Sequence, residues 1–339
     1  MKLSYIDYPL VFKYPFKIAH GIRTETPCLF VKLELENNVG YGECTLPPYL
    51  KDTIESSISF LEKIDFSIYE NMDFNPTEIS NEIDKNYTEN YPIKAAINMA
   101  LWDLKGKIEN KLVDTYFYTN KKTPYCTYTI GVSNEQEIKE KIASSSNFEI
   151  YKLKLDGIND FETIEYFTKY SDKPFAIDAN QCWKSIEEAL EIVALLEQKK
   201  CFLIEQPFDK LDREMSQLLK NKTKIPIIAD EAFQHINQLR ELSESFDGIN
   251  IKLMKCGGIS NALEIIKQAK ELDLKILIGC MSESACGCAA GSMLQHDADW
   301  LDLDGPYLIN NNPFDGYKIQ NGKIEIAGNI GIGLETGLF

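Results

Sequence analysis

Arginine is nearly missing from this chain. Of 36 basic residues among 339, only Arg23, Arg213 and Arg240 are arginine, so planar recognition of anions is confined to very few places. Histidine is as scarce, with three residues. A basic surface is lacking too. Net charge is −16 and the pI is near 4.8, which argues against nucleic acid and against an anionic membrane as partners. No apolar run reaches the roughly 18 residues of a membrane span. The start, MKLSYIDYPLVFKYPFK, lacks the apolar core of a signal peptide, so a cytoplasmic protein is expected. Nine cysteines, an odd number, read as free thiols. Cys280, Cys286 and Cys288 cluster without a second CxxC pair or a nearby histidine, and read as small buried residues rather than zinc ligands.

What is present is a period. From about residue 125, short β-rich runs alternate with helix-patterned stretches: YCTYTIGV (125–132), YKLKL (151–155), FAIDAN (175–180), FLIEQP (202–207), IPIIAD (225–230), GINIKL (248–253), KILIGC (275–280) and WLDLD (300–304). Between them, SIEEALEIVALLEQ (185–198) and SNALEIIKQAKEL (260–272) carry apolar residues at helical spacing, and each opens on a serine suited to an N-cap. Eight strands, each but the last followed by a helix, predict an α/β fold built on a modified TIM barrel, (β/α)7β.

The barrel gives meaning to YKLKLD (151–156). A barrel strand lies under helices on one face and borders the lumen on the other, so neither face is freely wet. Lys152 and Lys154 must then point into the barrel near its C-terminal mouth. Asp178, Glu205, Asp230 and Lys252 end the next four strands, and Asp302 and Asp304 end the eighth. From Lys154 the steps are 24, 27, 25 and 22 residues, so each charge holds the same place in its βα unit. That place is where barrel enzymes carry catalytic residues.

Three carboxylates on adjacent strands cannot all stay ionised in a partly desolvated mouth unless a cation shares them. Asp178, Glu205 and Asp230 form an all-oxygen set suited to one Mg²⁺ per subunit. Strands 2 and 6 are opposed in a ring of eight, so Lys154 and Lys252 face each other across the lumen. Strands 4 and 8 are likewise opposed, which sets Asp302 and Asp304 across from the metal. A substrate with an anionic oxygen on the metal and a cation on the aspartates would put its central carbon between the lysines. Two bases on opposite faces of one carbon are what inversion by 1,1-proton transfer through an enediolate requires. A neighbouring ammonium, Lys152, and the metal would lower the pKa of Lys154 toward that of a working base. Lys152 could also hold a substrate carboxylate oxygen.

These motifs resemble the enolase superfamily, in its muconate-lactonizing-like subgroup. The resemblance rests on KLK (152–154), DAN (178–180), EQP (205–207), DE (230–231) and NIKLMKCGG (250–258). GYGEC (40–44) and the helix AAINMALWDLKGK (95–107), in which Trp102 is expected to pack, resemble the subgroup's N-terminal α+β capping domain. FDGYKIQNGKIEIAGNIGIGLE in the tail resembles the segment that returns to it. The resemblance implies a cap over 1–118, with mouth-covering loops near 17–27 and 44–53. It implies a barrel over 119–309 and a returning segment over 310–339. It also implies metal ligation by Asp178, Glu205 and Asp230, and acid/base roles for Lys154 and Lys252.

Within the subgroup, LDLDGP (301–306) is similar to a dipeptide-epimerase signature in which the two aspartates bind the substrate's α-ammonium. IAHGIRTE is similar to a loop of L-Ala-D/L-Glu epimerases whose arginine meets the glutamate side chain. Arg23 is the candidate, with Thr24 beside it as a hydrogen-bond donor. Thr129, Cys280 and Ser282 match substrate-lining positions by location. The expectation is therefore an isomerase, a dipeptide epimerase acting on cell-wall peptide and foremost on L-Ala-D/L-Glu, with a dipeptide as its small partner. A homo-oligomer is compatible with the sequence. The rival expectations are an o-succinylbenzoate synthase, an N-acylamino-acid racemase or a cycloisomerase, and, outside enzymes, a silent peptide- or metal-binding barrel.

Overall fold

The computed structural model describes residues 1–18, 21–69 and 74–339. Eight parallel strands run in sequence order: Thr127–Ile130, Ile150–Lys154, Phe175–Asp178, Cys201–Glu205, Ile227–Ala229, Gly248–Lys252, Lys275–Gly279 and Trp300–Asp302. The ring closes where Cys126 bridges Leu301 in parallel, with Leu301 N donating to Tyr125 O at 3.2 Å. Side chains alternate along each strand, so the residue two before each strand-end charge also faces the lumen. Ala176, Leu203 and Ile228 occupy that position below Asp178, Glu205 and Asp230 and pack with Leu277 of the seventh strand as a buried apolar plug, while Lys152 and Asn250 take it below Lys154 and Lys252. The charges sit above it, on a packed floor rather than in a pore.

Seven strands are followed by helices, from Glu135–Ser144 to Ala285–Ser292. Several are started by side-chain caps: Ser185 accepts from Glu188 N, and Asn134 forms a capping box with Glu137. The helix Ile259–Glu271 departs from the sequence expectation. Its cap position is Gly258 at φ 115°, where an added Cβ would run into Asn98, and Ser260 lies inside the helix. The Ser260 hydroxyl serves another purpose. It accepts from Trp102 Nε1 at 2.9 Å and from Asn98 Nδ2 at 2.8 Å, tying the barrel to the long helix Tyr91–Ile108. After the last strand comes a short helix, Gly305–Leu308.

The N-terminal residues form a three-stranded antiparallel sheet of Lys2–Asp7, Cys28–Leu35 and Asn38–Thr45, and a separate hairpin of Leu10–Ile18 with Gly21–Thr26. Helix Tyr91–Ile108 packs so closely on this sheet that a Cβ at Gly40 would collide with Ala100 O, and one at Gly42 with Ala96 O. This explains the glycines of GYGEC. The tail comes back to the same helix, where Asp103 accepts from Tyr41 N at 2.9 Å, Ile332 N at 2.8 Å and Lys107 Nζ at 2.8 Å. No helix among the described residues is long and apolar enough to cross a membrane.

Candidate active site

The strand ends deliver their charges to one place. Lys154 Nζ lies 2.5 Å from Asp178 Oδ2, and Lys252 Nζ lies 2.6 Å from Asp230 Oδ2. The two lysines thus approach the acid cluster from strands on opposite sides of the barrel. Beneath them Lys152 is fully enclosed, with its Nζ 2.7 Å from Glu205, 2.7 Å from Asp302 and 3.1 Å from Asp178. Lys152 therefore braces the metal-side acids against the eighth strand. It is not among the pocket-lining residues, which is a different placement from the one expected for a contact to substrate.

Oxygens of Asp178, Glu205 and Asp230 lie within 4.8 Å of one another, and all three residues are buried. Their electrostatics show strain between like charges. Burial, followed by the charge of Asp178, pushes Glu205 up to about 8 even with Lys152 beside it. Burial opposes ionisation of Asp178 as well, yet Lys154 and Lys152 hold it at about 2. Lys252 and Lys255 outweigh burial at Asp230 and hold it well below the usual carboxylate range. Three hard oxygen donors, of which the lysines leave Glu205 under-compensated, fit a small divalent cation. Burial also works against the charge of Lys252, but Asp230, Tyr49 and Glu205 hold its pKa well above the ordinary lysine value. Protein charges alone therefore keep Lys252 an ammonium. A cation shared by the carboxylates would offset that hold.

The chain turns sharply just past the acids: Asn180, Gln181 and Gln206 all have positive φ, at 42°, 67° and 38°. These turns do local positioning. Asn180 N donates to Asp178 Oδ1 at 2.9 Å, and Gln206 Oε1 accepts from Asp230 N and Ala232 N, each at 3.0 Å. Asn250 Nδ2 donates to Glu205 Oε1 at 2.9 Å, and Lys255 Nζ donates to both Asp230 O and Asp230 Oδ1 at 2.8 Å. Sequence reasoning assigned none of these supporting residues. Lys255 had a signal, since it lies one helical turn beyond Lys252 in KLMK, and the amides had only their place beside an acid.

Across the pocket, Asp302 and Asp304 converge on the first strand. Thr127 Oγ1 donates to Asp302 Oδ1 at 2.8 Å, and Thr129 N donates to Asp304 Oδ2 at 2.6 Å. Thr129 Oγ1 lies 3.2 Å from Asp302 and 3.3 Å from Asp304. Thr129 lines the pocket and also holds the aspartate pair. Asp304 is not on the strand as the alternation implied; it stands at the N-cap position of Gly305–Leu308. The two acids are tuned apart. Lys152 and Lys154 overcome burial to lower Asp302, whereas burial and the charge of Asp302 raise Asp304 well above its usual value.

These groups open into a cavity of about 690 Å³ between barrel and N-terminal domain. Cys280 and Ser282 line it, Ser282 at φ 81°, and the Cys280 thiol is lowered to about 7 by its hydrogen bond with Cys288. Glu231 lines it too, pushed up to about 7 by burial and then by Asp230. From the N-terminal side come Arg23 and Tyr49. The Arg23 guanidinium lies 5.8 Å from the Tyr49 ring and 5.6 Å from the Phe12 ring, and its Nη1 donates to Thr26 Oγ1 at 3.2 Å. Thr24 is exposed and does not line the cavity; the hydroxyl that meets Arg23 is that of the buried Thr26, at the end of the same strand. Ala19 and His20, in the stretch expected over the mouth, lie outside the described residues.

Comparison with known proteins agrees with this arrangement. Residues 4–115 match the model of the mandelate racemase/muconate lactonizing enzyme N-terminal domain, and 136–336 match the enolase C-terminal domain-like model. An L-Ala-D/L-Glu epimerase of Bacteroides thetaiotaomicron is 36% identical over 336 residues, covering 98% of this chain and 88% of the relative. An L-Ala-D/L-amino acid epimerase of Maribacter sp. is 33% identical, covering 96% of each chain. The solved structure of a dipeptide epimerase from Enterococcus faecalis, complexed with Mg and the dipeptide L-Leu-L-Tyr, superposes with a TM-score of 0.90 at 26% identity over 98% of each chain. With both its N-terminal domain and its barrel matched, this chain belongs to the mandelate racemase/muconate lactonizing enzyme family of the enolase superfamily.

Proposed function

We propose that this protein is a Mg²⁺-dependent dipeptide epimerase, an isomerase that inverts the α-carbon of the C-terminal residue, with L-Ala-D/L-Glu as its foremost substrate. The observation that carries the reading is one arrangement: two lysines reach the carboxylate cluster from opposite strands, and an aspartate pair stands apart from them on the eighth. The names of the Bacteroides and Maribacter relatives support the substrate class.

Asp178, Glu205 and Asp230 would hold the cation, which when bound supplies the positive charge that stabilises the developing negative charge on the substrate carboxylate. Asp302 and Asp304 receive the α-ammonium, which fixes the direction of the dipeptide and excludes N-acylated analogues. With Cα held between Lys154 and Lys252, one lysine amine takes the α-proton from its face. The C–H electron pair passes into the carboxylate, and the other lysine's ammonium returns a proton from the opposite face. Lys152, enclosed among Asp178, Glu205 and Asp302, keeps acids of two subsites at a fixed separation. Arg23 is assigned to the side chain of the C-terminal residue.

In this reading the chain divides into a cap over 1–118, a barrel over 119–309 and a returning segment over 310–339. It works in the cytoplasm, where its nine unpaired cysteines stay reduced. The test is a library of free and N-acetylated dipeptides incubated with protein and Mg²⁺ in D₂O. A mass gain of one deuterium is expected for free dipeptides, with Ala-Glu among the best. Equal labelling of the N-acetylated set would return the protein to the N-acylamino-acid racemases, and no labelling at all would make it a silent binding barrel.

A further inference from the structure

The residue of GYGEC that the chemistry does not use is Glu43. It is fully buried on strand Asn38–Thr45 of the N-terminal sheet, yet its carboxylate reaches into the barrel. Four donors converge on it. Ser284 N and Thr45 Oγ1 donate to Oε1 at 2.8 and 2.7 Å, and Ser284 Oγ and Gly287 N donate to Oε2 at 2.5 and 2.8 Å. Ser284 and Gly287 begin the helix Ala285–Ser292 that follows the seventh strand. The remaining free N–H groups of that helix are also taken, Ala285 N by Asn312 Oδ1 at 3.0 Å and Cys286 N by Ser284 Oγ at 3.1 Å. Nothing at this helix start is left for a ligand. It serves as an anchor point.

What the anchor holds is the stretch just before it. Cys280, Met281 and Ser282 line the cavity, and Ser282 is held at φ 81°, a conformation that a non-glycine residue keeps only when its surroundings impose it. Met281 N is gripped at 2.9 Å by Oε1 of Glu283. Glu283 is itself wedged so tightly that a Cβ on Gly287 or Gly305 would collide with it. On the other side, the strand carrying Glu43 runs directly into Tyr49, Leu50, Lys51 and Asp52, which form the facing wall of the same cavity. Tyr49 OH then crosses to Met281 Sδ at 3.0 Å.

We infer that Glu43 is a positioning residue, setting the distance between the cavity wall at 280–282 and the facing wall at 49–52. The inference rests on the epimerase reading for its consequence, which is substrate affinity rather than proton transfer. Lys154 and Lys252 sit on strands that Glu43 does not touch.

The test is E43Q in the full-length protein. A glutamine has the right shape but cannot fit: in either orientation its NH₂ faces a backbone N–H, that of Ser284 or that of Gly287. KM for Ala-Glu should rise about 10-fold while kcat stays within about 3-fold, because misplaced walls weaken binding of a substrate whose reacting groups are intact. α-Deuterium exchange should persist with both epimers. Amide exchange across 281–287 should quicken about 10-fold, with 150–154 unchanged. S284A, which removes only the hydroxyl partner, should move KM and local exchange in the same direction by about 3-fold, and it decides the matter if E43Q does not fold. Unchanged KM with a lowered Tm would leave Glu43 a purely structural residue and overturn the inference, as would loss of exchange with one epimer only. If the unaltered protein turned over no dipeptide, the epimerase reading would fall, and amide exchange alone would still show whether Glu43 holds the two walls.

Discussion

The cavity has two sides made in different ways. The barrel side is built from strand ends, where charged groups meet partners at 2.5–3.1 Å and lie above an apolar plug. The N-terminal side is built from a hairpin, the loop at 49–52 and the start of helix Tyr91–Ile108, and its one guanidinium, Arg23, is held beside the Phe12 and Tyr49 rings at 5.6 and 5.8 Å. Strand register dictates where the barrel groups stand. A one-residue slip would turn every one of them out of the lumen, so the reaction is tied to the fold itself. The hairpin has a register irregularity between Val11 and Phe16 and no such constraint, so it can differ in shape while the reaction stays the same. In the proposed reading, proton transfer and recognition of the α-ammonium belong to the barrel side, and recognition of the C-terminal side chain to the other.

That division can be broken by experiment. The largest effect should follow removal of divalent cations: chelation is expected to abolish turnover and Mg²⁺ to restore it, measured by polarimetry on Ala-Glu. Full activity in metal-free protein would detach the three carboxylates from the reaction. Next in size is Asp304→Asn, which leaves a bound α-ammonium without its full counter-charge. A loss of about 2–5 kcal/mol in transition-state binding is expected for free dipeptides, with affinity for the metal unchanged by titration calorimetry. Arg23→Ala, on the N-terminal side, should act mainly through KM and selectively. About a 10-fold penalty is expected for Ala-Glu and little for Ala-Leu, and equal losses on both would remove Arg23 from substrate choice. The smallest effect on activity should come from Ser260→Ala. It strips Trp102 Nε1 of its hydroxyl partner and Asn98 Nδ2 of one of its two, Ser80 Oγ remaining, at a cost of about 1–3 kcal/mol in unfolding free energy, with kcat unchanged.

The same division decided what could be read from the sequence. Lys154, Asp178, Glu205, Asp230 and Lys252 were legible because a repeating βα unit returns the chain to the same height every 22–27 residues, and charge at that height needs no other information. Lys152 was legible as a lumen residue but not as the centre of a three-carboxylate cage, because that depends on distances between strands. Asp304 looked like a strand residue by alternation, yet the strand ends at Asp302, and only the turn places its carboxylate against Thr129 N. Ser260 had the look of a cap, and what displaced it was a tertiary contact to a helix more than 150 residues away in sequence. Thr24 and Thr26 share a strand face by alternation, and only the packing that buries Thr26 beside Arg23 while leaving Thr24 exposed tells them apart. Glu43 gave only the signal of an acid in an otherwise buried strand. Groups set by local period were readable; groups set by packing between domains were not.

The central claim is that Lys154 and Lys252 serve opposite faces of one carbon. Its most direct test is proton NMR of each pure Ala-Glu epimer with Lys154→Ala and with Lys252→Ala in D₂O, after confirming that each variant is folded and binds Mg²⁺. Each variant should lose epimerisation by a factor on the order of 10³ or more, while still exchanging the α-proton of one epimer, and the two variants should retain exchange with opposite epimers. If both variants lost exchange with the same epimer and kept it with the other, a single lysine would perform the proton transfer and the two-face account would be wrong.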